Sequence, residues 1–251
     1  MPSATELIKY ADEYLRSVEI EDWPNALNGV QIQNSGRVTK IGAAVDASSH
    51  TILAAAARHI DFLIVHHGLF WNGLRPISGP LYRVVKVAFD HDIALYGSHL
   101  PLDCHPIVGN NACLAASLGI DVTEPFLETK GRPIGVKALC RAPLEQLVTK
   151  LEESLGGPVK TFAHGPAETR VVAIVTGAAG SEVAAVAAEG VDTFITGEAP
   201  HWAAVAAAEM EVNLLLGGHY ATETFGVKAL AAHLAEHFKL PWEFIDSPTG
   251  L

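Results

Sequence analysis

The feature that most constrains the fold of this chain is an internal repeat. Residues 41–71 read IGAAVDASSHTILAAAARHIDFLIVHHGLFW, and residues 172–202 read VAIVTGAAGSEVAAVAAEGVDTFITGEAPHW. The two segments align without a gap, and each has the pattern of a strand, a small-residue turn, an Ala-rich helix and a second strand. Any two βαβ units share such a pattern, but here the closing Trp also coincides. A repeat of this length predicts two related α/β halves.

The repeat continues into the next strand of each half. There an apolar run leads into Gly and His, and a carboxylate follows the His by four residues. His99 and Asp103 occupy these positions in the first copy, and His219 and Glu223 occupy them in the second. Ligands of open α/β sheets bind at the carboxyl ends of strands, so the repeat predicts a binding site at these positions.

The repeat also suggests where the two halves begin and end. We predict that residues 1–124 form the first half and that residues 224–251 complete it, whereas residues 125–223 form the second half. The predicted fold class is therefore α/β, with two halves related by an internal duplication and a metal site between them.

Charge and cysteine content narrow the classes of function. The formal net charge is -11, from 17 basic and 28 acidic residues, whereas a protein that binds duplex nucleic acid needs a basic surface. The amino terminus reads as a surface helix rather than a signal peptide, and no apolar stretch is long enough for a membrane span. The three cysteines are widely spaced and lack a C-x-x-C pair. We therefore expect a soluble, cytoplasmic protein without a duplex nucleic-acid or membrane partner.

Histidines and carboxylates at the ends of predicted strands are candidate metal ligands. His66 and His67 directly follow the apolar run DFLIV, and Gly68 allows the chain to turn there. Because adjacent strand residues point to opposite faces, the two imidazoles can serve one site only if the strand has ended. If a helix begins at His219, then His219 and Glu223 project from one face of it.

The chemistry of these side chains indicates a dinuclear site. Imidazole and carboxylate ligands without thiolate suit Zn, Mn, Fe, Co, Ni or Mg. Two ions about 3.5–4 Å apart, with one bridging carboxylate, would use five ligands and leave room for water. We therefore predict two divalent ions per chain, bridged by Glu223, although a hydrogen-bonded network without an ion is the alternative. The predicted ligands are His66, His67, Asp103, His219 and Glu223.

Two further residues are candidates for catalysis. His99 could ligate an ion, orient a substrate or hydrogen-bond Asp103, and we favour the hydrogen bond. Glu198 could move a proton near the metal, or it could cap the following helix, where Pro200 suits the first turn. The residue types and their spacing leave both roles of Glu198 open.

Four segments of the chain resemble the Nif-three-like dinuclear metal hexamer family: HHGLFW, SHLPLDCHPIVGNNACLAASLGI, TGE and GGHYATETFGVKAL. The resemblance runs from NGVQ near residue 28 to FID at residue 246. It implies the short form of the family, with two α/β halves and no inserted third domain. It also implies a ring-shaped homohexamer whose metal sites face the interior, and it carries the family's ligands onto the same five positions.

The resemblance implies two hypotheses for function. Family members are often named homologues of GTP cyclohydrolase I type two, which implies a metal-dependent hydrolase acting on a nucleotide, pterin precursor or phosphoester. The second hypothesis is a non-catalytic adaptor or metal-handling protein, because the sequence has no complete nucleotide-binding motif. The hydrolase is the first hypothesis because open metal positions would leave room for a reactive water.

Overall fold

The computed structural model describes residues 2–71, 76–122 and 124–251 as an α/β protein with two sheets. The chain divides into two compact units, each with its own sheet and apolar core. The predicted α/β fold with two halves is therefore confirmed. Unit 1 comprises Met1–Leu102 and Gly226–Ser247, and unit 2 comprises Asp103–Phe225 and Pro248–Leu251.

The strands are short, and most of their buried residues are Val, Ile, Leu or Ala. Two strands, β1 and β7, border the sheets as antiparallel neighbours of parallel strands. In the described part of the chain the strands are β1 (Gly29–Ile32), β2 (Ile41–Asp46), β3 (Phe62–His67), β4 (Ala94–Gly97), β5 (Glu124–Thr129), β6 (Arg132–Pro143), β7 (Lys160–Phe162), β8 (Glu168–Val175), β9 (Thr193–Thr196), β10 (Asn213–Leu216) and β11 (Trp242–Phe244).

The helices follow the strands in the order that a parallel sheet requires. None of those in the described ranges is long and apolar enough to cross a membrane. They are α1 (Ala4–Leu15), α2 (Ser49–Ala57), α3 (Gly79–Asp90), α4 (Leu100–Asp103), α5 (Asn110–Ser117), α6 (Leu144–Leu155), α7 (Val183–Ala188), α8 (His201–Glu209), α9 (His219–Thr222) and α10 (Thr224–Phe238).

Unit 1 is built on a sheet with the strand order β1-β4-β3-β2-β11. Its central strands are parallel and buried, which explains why they read as near-continuous apolar runs. A capping box at Ser48 and Thr51 starts α2, and Ile52 of that helix packs in the core with Val84 of α3. The strand β11 pairs with β2, so the segment after residue 226 completes this sheet.

Unit 2 is built on a sheet with the order β5-β6-β8-β9-β10-β7. Both faces of β8 are covered, because alternate residues enter different cores. Ile174 packs with Leu147 of α6 on one face, and Ala173 packs with Val183 of α7 on the other. The carboxyl ends of β8, β9 and β10 are thereby fixed by packing on both sides.

The repeat is visible in how the strands pair. Ile41 faces Phe62 across β2 and β3, and the residues aligned with them, Val172 and Thr193, face each other across β8 and β9. In each unit a third parallel strand follows, and an antiparallel strand flanks it. The gap-free alignment of the sequence therefore matches the register of the sheets.

A pair of aspartates shows the same equivalence at the opposite strand ends. The carboxylate of Asp61 accepts hydrogen bonds from the backbone N–H groups at 39–40. The aligned Asp192 accepts from the backbone N–H groups at 170–171. Each aspartate satisfies donors at the start of a strand in its own unit, which is a contact that shared apolar patterning alone would not produce.

Residues 103–124, which we placed in the first half from the sequence, lie in unit 2. The reason is the packing of α5, since Leu114 and Ala115 are buried in the same core as Leu147. Asn111 adds to this attachment by donating to the backbone oxygen of Ile134 at 2.8 Å. The chain therefore enters unit 2 before its first strand.

Candidate metal centre

The first cluster of candidate ligands lies at the end of β3 in unit 1. Both His66 and His67 belong to β3, so the prediction that the strand ends before them is wrong. Pairing with β4 stops at Val65, while pairing with β2 continues to His67. The two rings nevertheless come together, with centroids 4.8 Å apart. The close contact thus arises where β3 has a neighbouring strand on one side only.

Gly68 has a different role from the predicted turn. A Cβ at this position would overlap the side chain of Gln31. That side chain is fixed, because its Oε1 accepts from the backbone N–H of Leu69 at 2.7 Å and its Nε2 donates to the backbone oxygen of Leu27. Glycine is required here for close packing beside the two histidines.

The Nδ1 atoms of His66 and His67 are both hydrogen-bonded to oxygen. Nδ1 of the buried His66 lies 2.9 Å from the backbone oxygen of Ser98. Nδ1 of His67 lies 2.9 Å from Oδ1 of Asp46, at the end of the neighbouring strand β2. A carbonyl or carboxylate oxygen only accepts, so in both rings Nδ1 carries the proton. In this tautomer the lone pair of a neutral imidazole is on Nε2, the atom that would bind a metal ion.

His99 completes this cluster. Its ligand atoms lie within 4.8 Å of those of His66 and His67, so the three imidazoles could hold a metal ion. Its Nδ1 lies 2.8 Å from Oδ1 of Asp22, rather than on the predicted partner, Asp103. Burial opposes ionisation of Asp22, but hydrogen bonds from His99 and its neighbours outweigh burial, and the pKa of this carboxyl lies below its usual value.

Trp71 packs against the same imidazoles. Its ring centroid lies 4.5 Å from that of His99 and 5.5 Å from that of His67, edge to face in both cases. Together with the burial of His66, this aromatic contact limits water around the three rings. A metal ion in such a place would be held by few, well-oriented ligands.

Asp103 belongs to unit 2 and ends α4. The carboxylate is buried, and Oδ1 accepts from Nδ2 of Asn110 at 2.8 Å. The backbone oxygen of Asp103 accepts from Nδ2 of Asn111. Asn110 and Asn111 are the first residues of α5, so this helix fixes both the main chain and the side chain of Asp103.

His219 and Glu223 form the second cluster, at the end of β10 in unit 2. A helical turn begins at His219, as predicted, and brings Nε2 of His219 within 3.2 Å of Oε2 of Glu223. Nδ1 of His219 lies 3.0 Å from Oε1 of Glu198. The hydrogen bond to Glu223, with further contributions from Glu198, raises the pKa of His219 to about 9 against the opposing effect of burial. A metal-free His219 is therefore a protonated imidazolium at neutral pH.

Glu223 fits its place because the neighbouring chain is glycine. Gly177 follows β8 with a φ of +72°, and a Cβ on it would overlap Oε1 of Glu223. Glu223 itself is buried, with 3% of its surface exposed. A buried carboxylate needs a positive partner, which His219 supplies in the metal-free state.

Glu198 does not cap the following helix. Pro200 is the N-cap of α8, and no side chain makes the cap hydrogen bond. The carboxylate of Glu198 is instead the acceptor for Nδ1 of His219. The predicted cap is therefore wrong, Glu198 contacts His219 instead, and proton transfer by Glu198 stays a prediction.

Sequence reasoning missed three residues that hold the histidines. Asp46 ends β2, so the strand-end rule that found His66 and His67 could also have found it. Asp22 and Asn28 lie between α1 and β1. Asn28 opens the NGVQ segment at which the resemblance begins, whereas no pattern in the sequence marks Asp22. Whether the five predicted ligands bind ions as one dinuclear site stays a prediction.

Comparison with known proteins agrees with the resemblance in the sequence. The profile of the Duf34/NIF3 (NGG1p interacting factor 3) family matches residues 2–249. A Deinococcus radiodurans protein named GTP cyclohydrolase 1 type 2 homolog is 39% identical over 249 residues, covering 98% of this chain and 94% of its own. A Pyrococcus abyssi protein of the same name is 40% identical over 250 residues, covering 98% of each chain.

A solved structure gives the same result for the fold. The crystal structure of a protein from Thermus thermophilus superposes with a TM-score of 0.92 at 39% sequence identity. The match covers 99% of this chain and 100% of that one. The similarity therefore extends over both units.

Proposed function

Since the chain belongs to the Duf34/NIF3 family, we propose that it is a dinuclear divalent-metal protein that hydrolyses a nucleotide, a pterin precursor or a phosphoester. The ligands would be His66, His67, Asp103, His219 and Glu223. GTP is the first substrate to test, because the Deinococcus and Pyrococcus relatives carry the name GTP cyclohydrolase 1 type 2 homolog.

One observation supports metal binding above all others. In each of four histidines, His66, His67, His99 and His219, Nδ1 is hydrogen-bonded to a backbone or carboxylate oxygen. Hydrogen bonds of this kind orient metal-binding histidines and increase the basicity of Nε2. Histidines that serve only to fill the core would not need a hydrogen bond from Nδ1 to oxygen in every case.

The donor set fits hard or borderline divalent cations. It consists of imidazole and carboxylate groups, and the carboxylates of Asp103 and Glu223 are both buried. Bound divalent ions would lower the pKa of a water molecule and stabilise negative charge that develops on the substrate. They would also offset the net charge of -11 when an anionic substrate approaches.

Side chains of the protein would transfer protons during the proposed hydrolysis. Glu198 is the most exposed carboxylate of the unit 2 cluster, with 44% of its side chain accessible. It accepts from Nδ1 of His219 through one oxygen, which leaves the group able to orient His219 and to take a proton from solvent. His99 would act by orienting the substrate or by completing the imidazole cluster.

The competing proposal is a metal-binding adaptor or metal-handling protein. It draws on the same ligands, and it is supported by the lack of a complete nucleotide-binding motif in the sequence. The two proposals differ in one measurable respect. A hydrolase turns over a substrate when metal is added, whereas a metal-handling protein binds and releases ions, or binds a partner protein, without turnover.

The test is turnover by protein reconstituted with Zn, Mn, Fe, Co, Ni or Mg. GTP, other nucleotides and a model phosphodiester are incubated with the wild type, with His66→Ala and with His50→Ala, an exposed histidine of α2 that serves as control. We expect metal-dependent turnover that persists in His50→Ala and is lost in His66→Ala. Ion binding without turnover of any substrate would overturn the hydrolase proposal and favour metal handling.

We also propose a ring-shaped homohexamer, on the basis of the family to which the chain belongs, and a cytoplasmic location, on the basis of the three widely spaced cysteines. Sedimentation at micromolar concentration should give the mass of six chains of 26.6 kDa each. A monomer under these conditions would contradict the proposal. Metal removal with a chelator, measured in the same way, separates an assembly held by protein contacts from one held by ions.

A further inference from the structure

The segment between α1 and β1 makes an unusually well-connected contact with His99 inside unit 1. Its central residue is Asp22, whose side chain is only 4% exposed. Oδ1 accepts from Nδ1 of His99 at 2.8 Å and from the backbone N–H of Trp23 at 2.6 Å. Oδ2 accepts from the backbone N–H of Leu100 at 3.0 Å and from Nδ2 of Asn28 at 2.8 Å. Four donors therefore converge on one buried carboxylate.

Asn28 binds the main chain of the same histidine. Its Oδ1 accepts from the backbone N–H of His99 at 2.8 Å, while its Nδ2 donates to Asp22. The ring and the backbone of His99 are thus held by two residues that lie 77 and 71 positions away in the sequence. Such a network leaves the imidazole one orientation and one tautomer, with the proton on Nδ1.

Asp46 provides a comparison within the same unit. It also accepts from Nδ1 of a histidine, His67, at 2.9 Å. Its side chain is 36% exposed, however, and solvent can replace the contact. The contact between Asp22 and His99 is buried and belongs to a larger set of hydrogen bonds. Its loss should therefore disturb the orientation of its histidine more than loss of the contact between Asp46 and His67.

We propose that Asp22 is a positioning residue: it fixes the tautomer and orientation of His99 so that Nε2 joins the imidazole cluster of His66 and His67. The reason for positioning His99, namely metal binding, rests on the proposed function. The hydrogen bonds that hold His99 are present in the metal-free protein. Asp22 acts through His99 and touches neither metal nor substrate.

Asp22→Asn tests this role because it keeps the shape of the side chain and replaces one carboxylate oxygen, an acceptor, with an NH₂ group, a donor. Either orientation of the amide sets an NH₂ group against two existing donors, His99 and Trp23 on one side or Leu100 and Asn28 on the other. In the orientation that sets the NH₂ group against His99 and Trp23, the imidazole loses its acceptor, so the variant should populate both tautomers of His99. Asp46→Asn is the matched control, since it makes the same change at His67.

The first measurement is nitrogen-15 NMR of the histidine rings in the metal-free protein. We expect the wild type to have His99 protonated on Nδ1 and Asp22→Asn to have a mixture of tautomers, whereas Asp46→Asn leaves His99 unchanged. A wild-type His99 protonated on Nε2 would overturn the proposal. So would an unaltered Nδ1 tautomer in folded Asp22→Asn. This measurement needs no metal, so it distinguishes failure of the positioning role from failure of the proposed function.

The second measurement is the affinity for Zn²⁺ and Mn²⁺ by calorimetry, with circular dichroism to verify folding. We expect a loss of about 10- to 100-fold for Asp22→Asn and a similar loss for His99→Ala. The double variant should bind no more weakly than His99→Ala alone. Independent, multiplying losses would show that Asp22 does not act through His99. If Asp22→Asn does not fold, the tautomer of His99 in the wild type is still measurable, and the milder variant Asn28→Ser replaces Asp22→Asn. We then expect Asn28→Ser to show a mixture of His99 tautomers and a loss of metal affinity.

Discussion

Units 1 and 2 share one strand arrangement but hold their histidines in different ways. In unit 1, Nδ1 of His67 donates to the carboxylate of Asp46. In unit 2, His219 lies between two carboxylates, Glu198 on Nδ1 and Glu223 on Nε2. The two carboxylates around His219 raise its pKa to about 9, so this imidazole is protonated at neutral pH. Equivalent strand ends can therefore surround a histidine with different numbers of nearby carboxylates.

Two aligned positions of the repeat account for the different surroundings of the histidines. In the gap-free alignment, Asp46 corresponds to Gly177 and His67 corresponds to Glu198. The first unit thus has the acid on β2 and the histidine on β3, whereas the second has glycine after β8 and the acid after β9. The glycine leaves the space that Glu223 occupies. A duplicated scaffold fixes where side chains can meet, and single substitutions decide the chemistry there.

The largest expected effect is that of Glu223→Gln, which removes the charge of the buried carboxylate beside His219. If Glu223 bridges two ions, its loss leaves two cations a few ångströms apart with less negative charge between them. Metal content should fall from about two ions per chain to one or fewer. Elemental analysis measures this, and circular dichroism should show that the fold persists.

Two outcomes would contradict this interpretation of Glu223. Two ions retained at the affinity of the wild type would show that Glu223 does not bridge. Unfolding of the variant would show that the carboxylate is structural. In the metal-free variant, the pKa of His219 should also fall, because its hydrogen bond to Glu223 is the largest cause of the raised value.

Gly177→Ala tests whether the carboxylate of Glu223 needs the space that glycine leaves at position 177. The added Cβ would overlap Oε1 of Glu223, and φ is +72°. We expect a loss of about 2–4 kcal/mol in the free energy of unfolding, from backbone strain and overpacking together. Denaturant titration measures the loss.

The matched control for this variant is Gly190→Ala. Gly190 has a φ of +74°, yet its Cβ would meet nothing within 4 Å. It should therefore lose only the backbone contribution, about 1 kcal/mol. Equal losses for the two variants would show that the space beside Glu223 is not limiting.

The raised pKa of His219 predicts a pH dependence of metal affinity. With a pKa of about 9, His219 must release a proton before it can bind metal. Metal affinity should rise by about tenfold per pH unit up to pH 9 and then become constant. Calorimetry in buffers of different ionisation enthalpy would count the released proton, and an affinity independent of pH between 7 and 9 would contradict the assignment.

The same pKa shift has the opposite effect on the metal-free fold. The folded-state pKa of His219 lies above the ordinary value of 6.5. The stabilisation from its two carboxylate partners is therefore complete below pH 6.5 and is lost as the pH rises through 9. Thermal midpoints of the metal-free protein should follow this direction, and Glu223→Gln should weaken the dependence.

The smallest expected effect is that of Glu198→Gln. The side chain is 44% exposed, so water can replace its hydrogen bond to His219. We expect metal affinity to fall by about tenfold with two ions still bound. Glu209→Gln on the exposed face of α8 is the control and should change nothing. A loss of turnover far greater than the loss of affinity would indicate that Glu198 also transfers a proton.

The two-half α/β fold and the strand ends that carry the candidate ligands were predictable from the amino-acid sequence. Periodicity marked the strands and helices, and the gap-free repeat gave the register that pairs Ile41 with Phe62 and Val172 with Thr193. The strand-end rule found His66, His67 and His219 because it depends only on residues that are near one another in the chain. The helical turn from His219 to Glu223 was predictable for the same reason.

Tertiary structure alone decided which atoms hold the histidines. Asp22 reaches His99 across 77 positions, and nothing in the local pattern of either segment encodes that contact. Packing likewise assigned α5 to unit 2, because Leu114 and Ala115 are buried in its core. Local patterns follow from backbone geometry, which repeats every two or 3.6 residues. Long-range partners are selected by which buried donors and acceptors still need one another after the chain has folded, as Asp22 and His99 do.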